Sequence, residues 1–311
     1  MRLDRFFVAE EEAGERVDRF LARKLGISRS LAQRLIREGA AVVGGSPAEP
    51  ARRLRPGEEV VVSWAGPGLK PIPFPIPIIY EDEAIVVVNK PRGLPVHSPG
   101  PSSRPTVVSA LLARGPLAGG PADRPGVVHR LDAPVSGALV LARTEEAYRS
   151  LVQQFKERKV LKEYLAVVEG EVEVEEGTIK GRIGRDPHEP WRMDLRNFGK
   201  EAVTEFRVVA RRAGKTLLLV YPRTGRTHQI RLHLGAIGHP VVGDPLYGQS
   251  GGALLLHALR LGFFHPKDGD WREFLAPPPP EFSSWLAELD STGLRRIGSP
   301  PPPNRPTLPE E

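Results

Sequence analysis

Four prolines alternate with apolar residues near the end of the first quarter of the chain, at Pro71, Pro73, Pro75 and Pro77. Because proline has no amide proton and a fixed φ, this stretch can form neither a helix interior nor a central strand. Together with the glycines before it, the alternation favours an extended, polyproline-like connector over residues 65–78. We therefore predict a small domain over residues 1–64 and a larger one over residues 79–290.

The larger domain is expected to be a mixed α+β fold with a largely antiparallel sheet and flanking helices. Its predicted strands outnumber its helices, and the two do not alternate strictly as they would in a doubly wound parallel sheet. A β-branched run over 78–93 predicts one strand that is stopped by Pro91. The Pro-rich segment 291–311 is expected to be disordered. The other predicted strands are 161–169, 203–210 and 216–221, and the predicted helices are 106–114, 145–157 and 227–237.

Composition excludes several classes of chemistry. The chain has no cysteine, which excludes disulfides, iron–sulfur clusters, thiol nucleophiles and the Cys/His zinc site of nucleobase deaminases. No apolar run reaches the length of a membrane span, and the N-terminus lacks a secretory signal, so a cytoplasmic protein is expected. A net charge of +6 and a pI of about 9.7 suggest a polyanionic partner.

A cluster of positive charge falls in the small domain. Apolar residues at Val17, Phe20, Leu21 and Leu25 predict one amphipathic helix, and Ser28 is a suitable N-cap for a second. Such helices can follow a phosphate backbone, but a solvated charged face gives the same pattern. The basic residues of residues 19–37, which contain no acidic residue, are Arg19, Arg23, Lys24, Arg29, Arg34 and Arg37.

One carboxylate stands out in the larger domain. Asp132 lies in His-Arg-Leu-Asp-Ala-Pro-Val-Ser-Gly (129–137), directly before the apolar run 138–141. The run predicts a buried strand, so the acid is expected at the edge of a core and beside a cleft. An isolated aspartate in a turn would more often be structural. The histidines His228, His233, His239 and His257 have no carboxylate at metal-site spacing, and no metal site is expected.

The stretch around Asp132 and several other stretches of the chain resemble the motifs of a known enzyme family. The 129–137 stretch is similar to the His-Arg-Leu-Asp-x-x-Thr-Ser-Gly motif of the RluA family of RNA pseudouridine synthases, which act on ribosomal and transfer RNA, with Val135 in place of the usual Thr. Residues 15–64 resemble the S4 RNA-binding domain, although Gly44 replaces its usual Asn. The further matching stretches are 81–94, 160–166 (Val-Leu-Lys-Glu-Tyr-Leu-Ala), 223–233 (Arg-Thr-Gly-Arg-Thr-His-Gln-Ile-Arg-Leu-His), 240–247, 254–258 and 265–266 in the larger domain, and 16–21, 28–30, 34–39 and 55–60 in the small one.

The resemblance implies an enzyme that isomerises uridine in RNA without a cofactor. Asp132 would act at the ribose, either as a nucleophile at C1′ or as a base at C2′, and both roles need it ionised. A nearby guanidinium would orient it, with Arg226 as the first choice and Arg231 as the second. Tyr164 would stack on the displaced uracil, and Leu256 would be an apolar wall.

Arg130 would fill the gap left by the flipped uridine or contact a phosphate. The expected partner is RNA, with ribosomal RNA of the large subunit favoured and transfer RNA as the other candidate, and the protein is expected to be a monomer without a membrane partner. Two other classes remain open at this point: a non-catalytic RNA-binding or ribosome-assembly factor on the same fold, and a glycoside hydrolase. The second requires another catalytic carboxylate, and no other acid has a comparable motif.

Overall fold

The computed structural model of the chain describes residues 2–66, 68–98, 104–189, 191–196, 198–249 and 251–287. The predicted disordered segment 291–311 lies outside these residues. The chain divides into two compact units. Unit 1 comprises Met1–Pro75, Val96–Val127 and Ala142–Tyr148, and unit 2 comprises Ile76–Pro95, Val128–Leu141 and Arg149–Glu311. No helix of the described part is long and apolar enough to cross a membrane.

Unit 1 contains both helices predicted for the small domain. Ser28 is the N-cap of the second helix, and its Oγ accepts a hydrogen bond from the Leu31 amide at 3.3 Å. The helices pack on a four-stranded sheet with the order β1-β4-β2-β3, and Phe20 and Leu21 are fully buried between them. The elements are α1 (Val17–Leu25), α2 (Arg29–Arg37), β1 (Arg2–Phe7), β2 (Ala41–Val43), β3 (Ser46–Pro47) and β4 (Glu59–Trp64).

Unit 1 also includes residues that lie beyond the predicted connector. Among them are α3 (Val107–Leu112) and the buried carboxylate of Asp123. Asp123 accepts hydrogen bonds from the Ser28 amide at 2.6 Å and from the Ser28 hydroxyl at 2.5 Å. The start of α2 is therefore tied to a segment that ends just before the Asp132 motif in sequence.

A second buried carboxylate, Asp18, holds α1 to α2. It accepts hydrogen bonds from Arg16 Nη2 at 3.0 Å, Arg29 Nε at 3.0 Å and Gln33 Nε2 at 2.6 Å. Burial by itself would raise the pKa of Asp18, but the hydrogen bonds from these three side chains outweigh it and hold the pKa well below its usual range. The carboxylate form is thus the one that stabilises unit 1.

We expect Asp18→Asn to lower the free energy of unfolding of unit 1 by about 1.5–3 kcal/mol at pH 7, because charge-assisted hydrogen bonds are lost. Since the pKa of Asp18 is depressed in the folded state, its contribution is present above the unfolded pKa of about 3.9 and is lost as the pH falls below it. Urea unfolding at pH 7 and pH 3 measures both effects. Glu38→Gln, which breaks only the exposed pair with Arg34, should change the stability by less than about 0.5 kcal/mol. Equal effects of the two substitutions would contradict the assignment.

Unit 2 is built on one large sheet with the strand order β10-β9-β11-β12-β8-β13-β7-β6-β5, and β14 pairs with β13. Every strand register recorded in it is antiparallel except that of β13 with β7, which is parallel. The predicted mixed α+β fold is confirmed. The elements are β5 (Ile78–Glu81), β6 (Ile85–Lys90), β7 (Ser136–Ala142), α4 (Glu145–Lys156), β8 (Leu161–Glu169), β9 (Glu176–Arg185), β10 (Met193–Leu195), β11 (Lys200–Arg212), β12 (Lys215–Pro222), α5 (Gln229–Ala236), β13 (Leu256–Phe264), β14 (Trp271–Leu275) and α6 (Ser283–Ala287), of which the last residue of β7 and the first four of α4 belong to unit 1.

The single strand predicted over 78–93 is wrong, since the structure has a hairpin there. Asp82 lies at the turn, and its Oδ1 accepts hydrogen bonds from the amides of Ala84 at 2.9 Å and Ile85 at 2.8 Å. An aspartate that caps its own turn in this way interrupts a β-branched run without a glycine or a proline. The run therefore forms β5 and β6, which pair with each other.

Candidate active site

Six side chains predicted for the catalytic part line one cavity of about 500 Å³ in unit 2. They come from well-separated elements: the loop before β7, strand β8, the start of β13, and the segment that leads into and forms α5. Neighbouring strands β7, β13 and β8 place the first three sources side by side. The six residues are Arg130, Asp132, Tyr164, Arg226, Arg231 and Leu256.

Asp132 faces Arg231 and not Arg226. Its Oδ2 lies 3.4 Å from Arg231 Nη1, whereas Arg226 donates from Nε to the Glu201 carbonyl at 3.0 Å. The expectation that Arg226 is the partner of the acid is therefore wrong. Arg226 precedes α5, and its side chain hydrogen-bonds to the backbone at the start of β11. Arg231 is buried within the helix and lines the cavity.

A second carboxylate fixes Arg231. Asp244 Oδ2 and Oδ1 accept from Arg231 Nε and Nη2, both at 2.7 Å, in a bidentate pair. Asp244 is fully buried and also accepts from the Leu246 amide at 2.9 Å. Burial raises the pKa of Asp244, but Arg231 more than offsets this and leaves it lowered. Asp244 lies in the family-like stretch 240–247, but nothing in the sequence around Asp244-Pro245 predicted that its carboxylate pairs with Arg231.

His228 also lies beside Asp132, a position that the sequence did not predict. Its Nε2 lies 3.8 Å from Asp132 Oδ2, and its Nδ1 lies 2.9 Å from the Tyr247 hydroxyl. The backbone of His228 is left-handed, with φ of 55°, which is uncommon for a residue other than glycine. Burial lowers its pKa, and the charge of Asp132 opposes this. The imidazole is therefore favoured in its neutral form.

Tyr164 and Leu256 belong to the apolar part of the cavity wall, which also includes Phe155 and Ile230. Tyr164 is central in the sheet, paired with Val220 of β12 and Ala258 of β13. Burial raises the pKa of its phenol, and the nearby charge of Asp132 raises it further. The hydroxyl is thus protonated at neutral pH, so Tyr164 offers a ring face and a hydrogen-bond donor, and not a base.

Lys90 organises the loop that carries Asp132. It is fully buried, and its Nζ donates to the carbonyls of Pro91 at 3.0 Å, Leu94 at 2.8 Å and Ala133 at 3.0 Å. Burial lowers the pKa of Lys90 to about 7, while the charge of Asp132 acts in the opposite direction. The lysine that ends β6 thereby connects the 91–94 loop to the residue after the acid.

The cavity has a strongly positive wall. Among the described residues that line it, Asp132 is the only carboxylate, so the basic side chains far outnumber it. Such a surface is suited to a substrate that carries several negative charges. The basic lining residues are Arg130, Lys156, Arg158, Lys162, Arg223, Arg226 and Arg231.

The basic face predicted for α1 and α2 is partly neutralised. Arg23 pairs with Glu12 and Glu15, at 2.9 and 2.7 Å, and Lys24 pairs with Glu12 at 2.8 Å. These acids precede α1 and lie outside the acid-free stretch 19–37. Arg29 and Arg34 pair with Asp18 and Glu38, whereas Arg19 and Arg37 are exposed and form no ion pair with any described residue.

The histidines beyond His228 have protein partners. His233 Nδ1 lies 3.0 Å from the Thr204 hydroxyl, and His257 Nδ1 lies 2.9 Å from the Ser136 hydroxyl. His239 Nδ1 lies 2.9 Å from the Glu169 carbonyl oxygen. The described residues contain no group of three or more side chains placed to hold a metal ion.

Comparisons with known proteins place these residues in context. A family model described as RNA pseudouridylate synthase matches residues 84–236, and an S4 domain model matches residues 15–60. The chain is 44% identical to an RNA pseudouridine synthase of Aquifex aeolicus, over 91% of this chain and 96% of that protein. It is 39% identical to a ribosomal large subunit pseudouridine synthase D of Neisseria meningitidis, over 90% of this chain and 80% of that protein. The solved structure of human RNA pseudouridylate synthase domain containing 1 aligns with a TM-score of 0.58 at 27% identity, over 78% of this chain and all of that one.

Proposed function

Because this chain belongs to the RNA pseudouridylate synthase family, we propose that it converts specific uridines of large-subunit ribosomal RNA into pseudouridine, with Asp132 as the catalytic group. The observation that carries the proposal is the position of Asp132, which is the one acid among the described residues lining a basic cavity and is held by Arg231. Ribosomal RNA as the substrate is supported by relatives named for the large ribosomal subunit.

The reaction breaks the bond between ribose C1′ and uracil N1, turns the base, and joins C1′ to C5. N1 gains a proton and C5 loses one, so no redox agent or energy donor is consumed. The Asp132 carboxylate serves this chemistry by adding to C1′ as the bond breaks, or by removing the C2′ proton to give a glycal. Arg231 keeps the carboxylate oriented in either route.

The remaining residues handle the base. The ring of Tyr164 and the side chain of Leu256 supply an apolar surface against which the released uracil can turn. The exposed Arg130, two positions before the acid, fills the space left in the RNA stack or contacts a phosphate. Arg226 remains a candidate for substrate contact at the rim, although it does not pair with Asp132.

The decisive experiment maps pseudouridines in ribosomal and transfer RNA from a strain that lacks this protein. We expect at least one site in the large-subunit RNA to be unmodified, and we expect the purified protein to restore it on an unmodified transcript. A complete set of pseudouridines in the deletion strain, together with RNA binding by the purified protein, would favour a non-catalytic RNA-binding factor instead.

We also expect the S4 domain to add affinity through its unpaired cations. Arg19→Gln combined with Arg37→Gln should weaken RNA binding and reduce the slope of log affinity against log salt by about one to two, since each contact with a phosphate contributes about 0.7–0.9. The single-turnover rate at saturating RNA should be unchanged. Arg5→Gln, at an arginine of β1 that pairs with Glu59, is the matched control. An unchanged salt slope in the double variant would show that this face is only solvated.

A further inference from the structure

One end of the cavity concentrates cations around a lysine. Lys162 lies on β8, and its Nζ donates to the Thr224 carbonyl at 3.3 Å, the one acceptor it reaches among the described residues. An ammonium has three donors, so two remain for a ligand. Arg158 lies before β8, Arg223 follows β12 and Arg226 precedes α5, and all three line the cavity with Lys162.

This cluster has little compensating negative charge. Glu205 pairs with Arg223 at 2.5 Å, but Arg158 and Lys156 are exposed and form no ion pair within the described ranges. Burial lowers the pKa of Lys162 to about 8, and the positive charges of Arg223, Arg158 and Arg226 contribute. Like charges held this close are costly unless an anion lies among them.

The position of Lys162 relative to Tyr164 indicates where the anion belongs. The two residues are separated by one position on the same strand, so their side chains leave the same face of the sheet about 6.6 Å apart. If Tyr164 contacts the uracil ring, the Lys162 ammonium lies at a distance from it that suits a neighbouring phosphate of the same RNA strand. An ammonium combined with guanidinium groups is a typical phosphate-binding set.

We propose that Lys162, Arg158 and Arg226 bind a phosphodiester group that adjoins the target nucleotide. The inference rests on the proposed function and deepens it, because it makes the enzyme specific for a uridine within an RNA strand as opposed to a free nucleoside. It also gives Arg226 a role in substrate binding that fits its position away from Asp132.

The first test measures binding alone, with a five-residue oligouridylate as the probe. Lys162→Met should weaken binding about tenfold and reduce the salt slope by about 0.7, whereas Lys162→Arg should retain most of the affinity. Lys215→Met is the matched control, because Lys215 begins β12, at the end of the strand away from Arg223, and pairs with Glu169. If Lys162→Met folds normally by urea unfolding and binds with an unchanged salt slope, the phosphate site is overturned, whether or not the protein is catalytic.

The second test uses a stem-loop that contains a uridine modified by the wild-type protein. Replacing the phosphate on either side of that uridine by a neutral methylphosphonate, one at a time, should lower kcat/KM about tenfold at one of the two positions in the wild type and leave it unchanged in Lys162→Met. If the methylphosphonate lowers kcat/KM in Lys162→Met by the same factor as in the wild type, the inference is overturned. Absence of pseudouridine with every RNA would instead reject the proposed function and leave the result of the binding test standing.

Discussion

Asp132→Asn is expected to reduce turnover about a thousandfold or more and to leave RNA affinity almost unchanged. An amide has nearly the shape of a carboxylate, so the loop before β7 should keep its structure, but it can neither add to C1′ nor remove the C2′ proton. Affinity is unaffected because it comes mainly from contacts between basic side chains and phosphates.

Single-turnover rates and equilibrium binding on the same RNA measure the two effects separately. Asp270→Asn, at an exposed aspartate in the turn before β14, is a control for loss of one negative charge. Activity of Asp132→Asn within about tenfold of the wild type, which is roughly 1.4 kcal/mol of barrier, is incompatible with a catalytic Asp132.

Arg231→Ala should damage both activity and stability, and much more than Arg226→Ala. It removes the guanidinium that faces Asp132, for which we expect a loss of about a hundredfold or more in the single-turnover rate. It also leaves the buried Asp244 carboxylate without its bidentate partner, at a cost of about 3–5 kcal/mol in the free energy of unfolding. Among the described residues, the Arg226 side chain hydrogen-bonds only to the Glu201 carbonyl, through its Nε, so its removal should leave the fold intact.

A second variant separates the two effects. Arg231→Met combined with Asp244→Asn removes both charges of the buried pair, so it should recover most of the stability without recovering turnover. Urea unfolding and single-turnover kinetics on the single and double variants give both quantities. A larger fall in the single-turnover rate for Arg226→Ala than for Arg231→Ala would reverse the roles given to the two arginines.

The sequence predicted those helices and strands whose signals lie within their own residues or directly beside them. The two helices of unit 1 follow from apolar residues at helical spacing and from the Ser28 cap, and β7 follows from the continuous apolar run 138–141. Strand β9 was not predicted because half of its residues are exposed and its less exposed face consists of Ile179, Ile183 and glycines, which gives only a weak apolar alternation. It is a strand because β10 and β11 pair with it on both sides. Its hydrogen-bond partners lie elsewhere in the chain.

The same division holds for the candidate site. The family resemblance of the sequence by itself was enough to predict Asp132, Tyr164, Arg231 and Leu256 as one group, and these four residues line one cavity. Only the tertiary structure decided which arginine meets the acid, since Asp132 and Arg231 are 99 positions apart. Helix α5 begins between Arg226 and Arg231, and the sequence does not show in which direction the helix runs relative to Asp132. It also brought Asp244 to Arg231 and His228 to Asp132, and it showed that Glu12 and Glu15 neutralise part of the basic face of α1. Ion pairs and hydrogen bonds depend on distances of a few ångströms between side chains, and only packing of remote segments sets those distances.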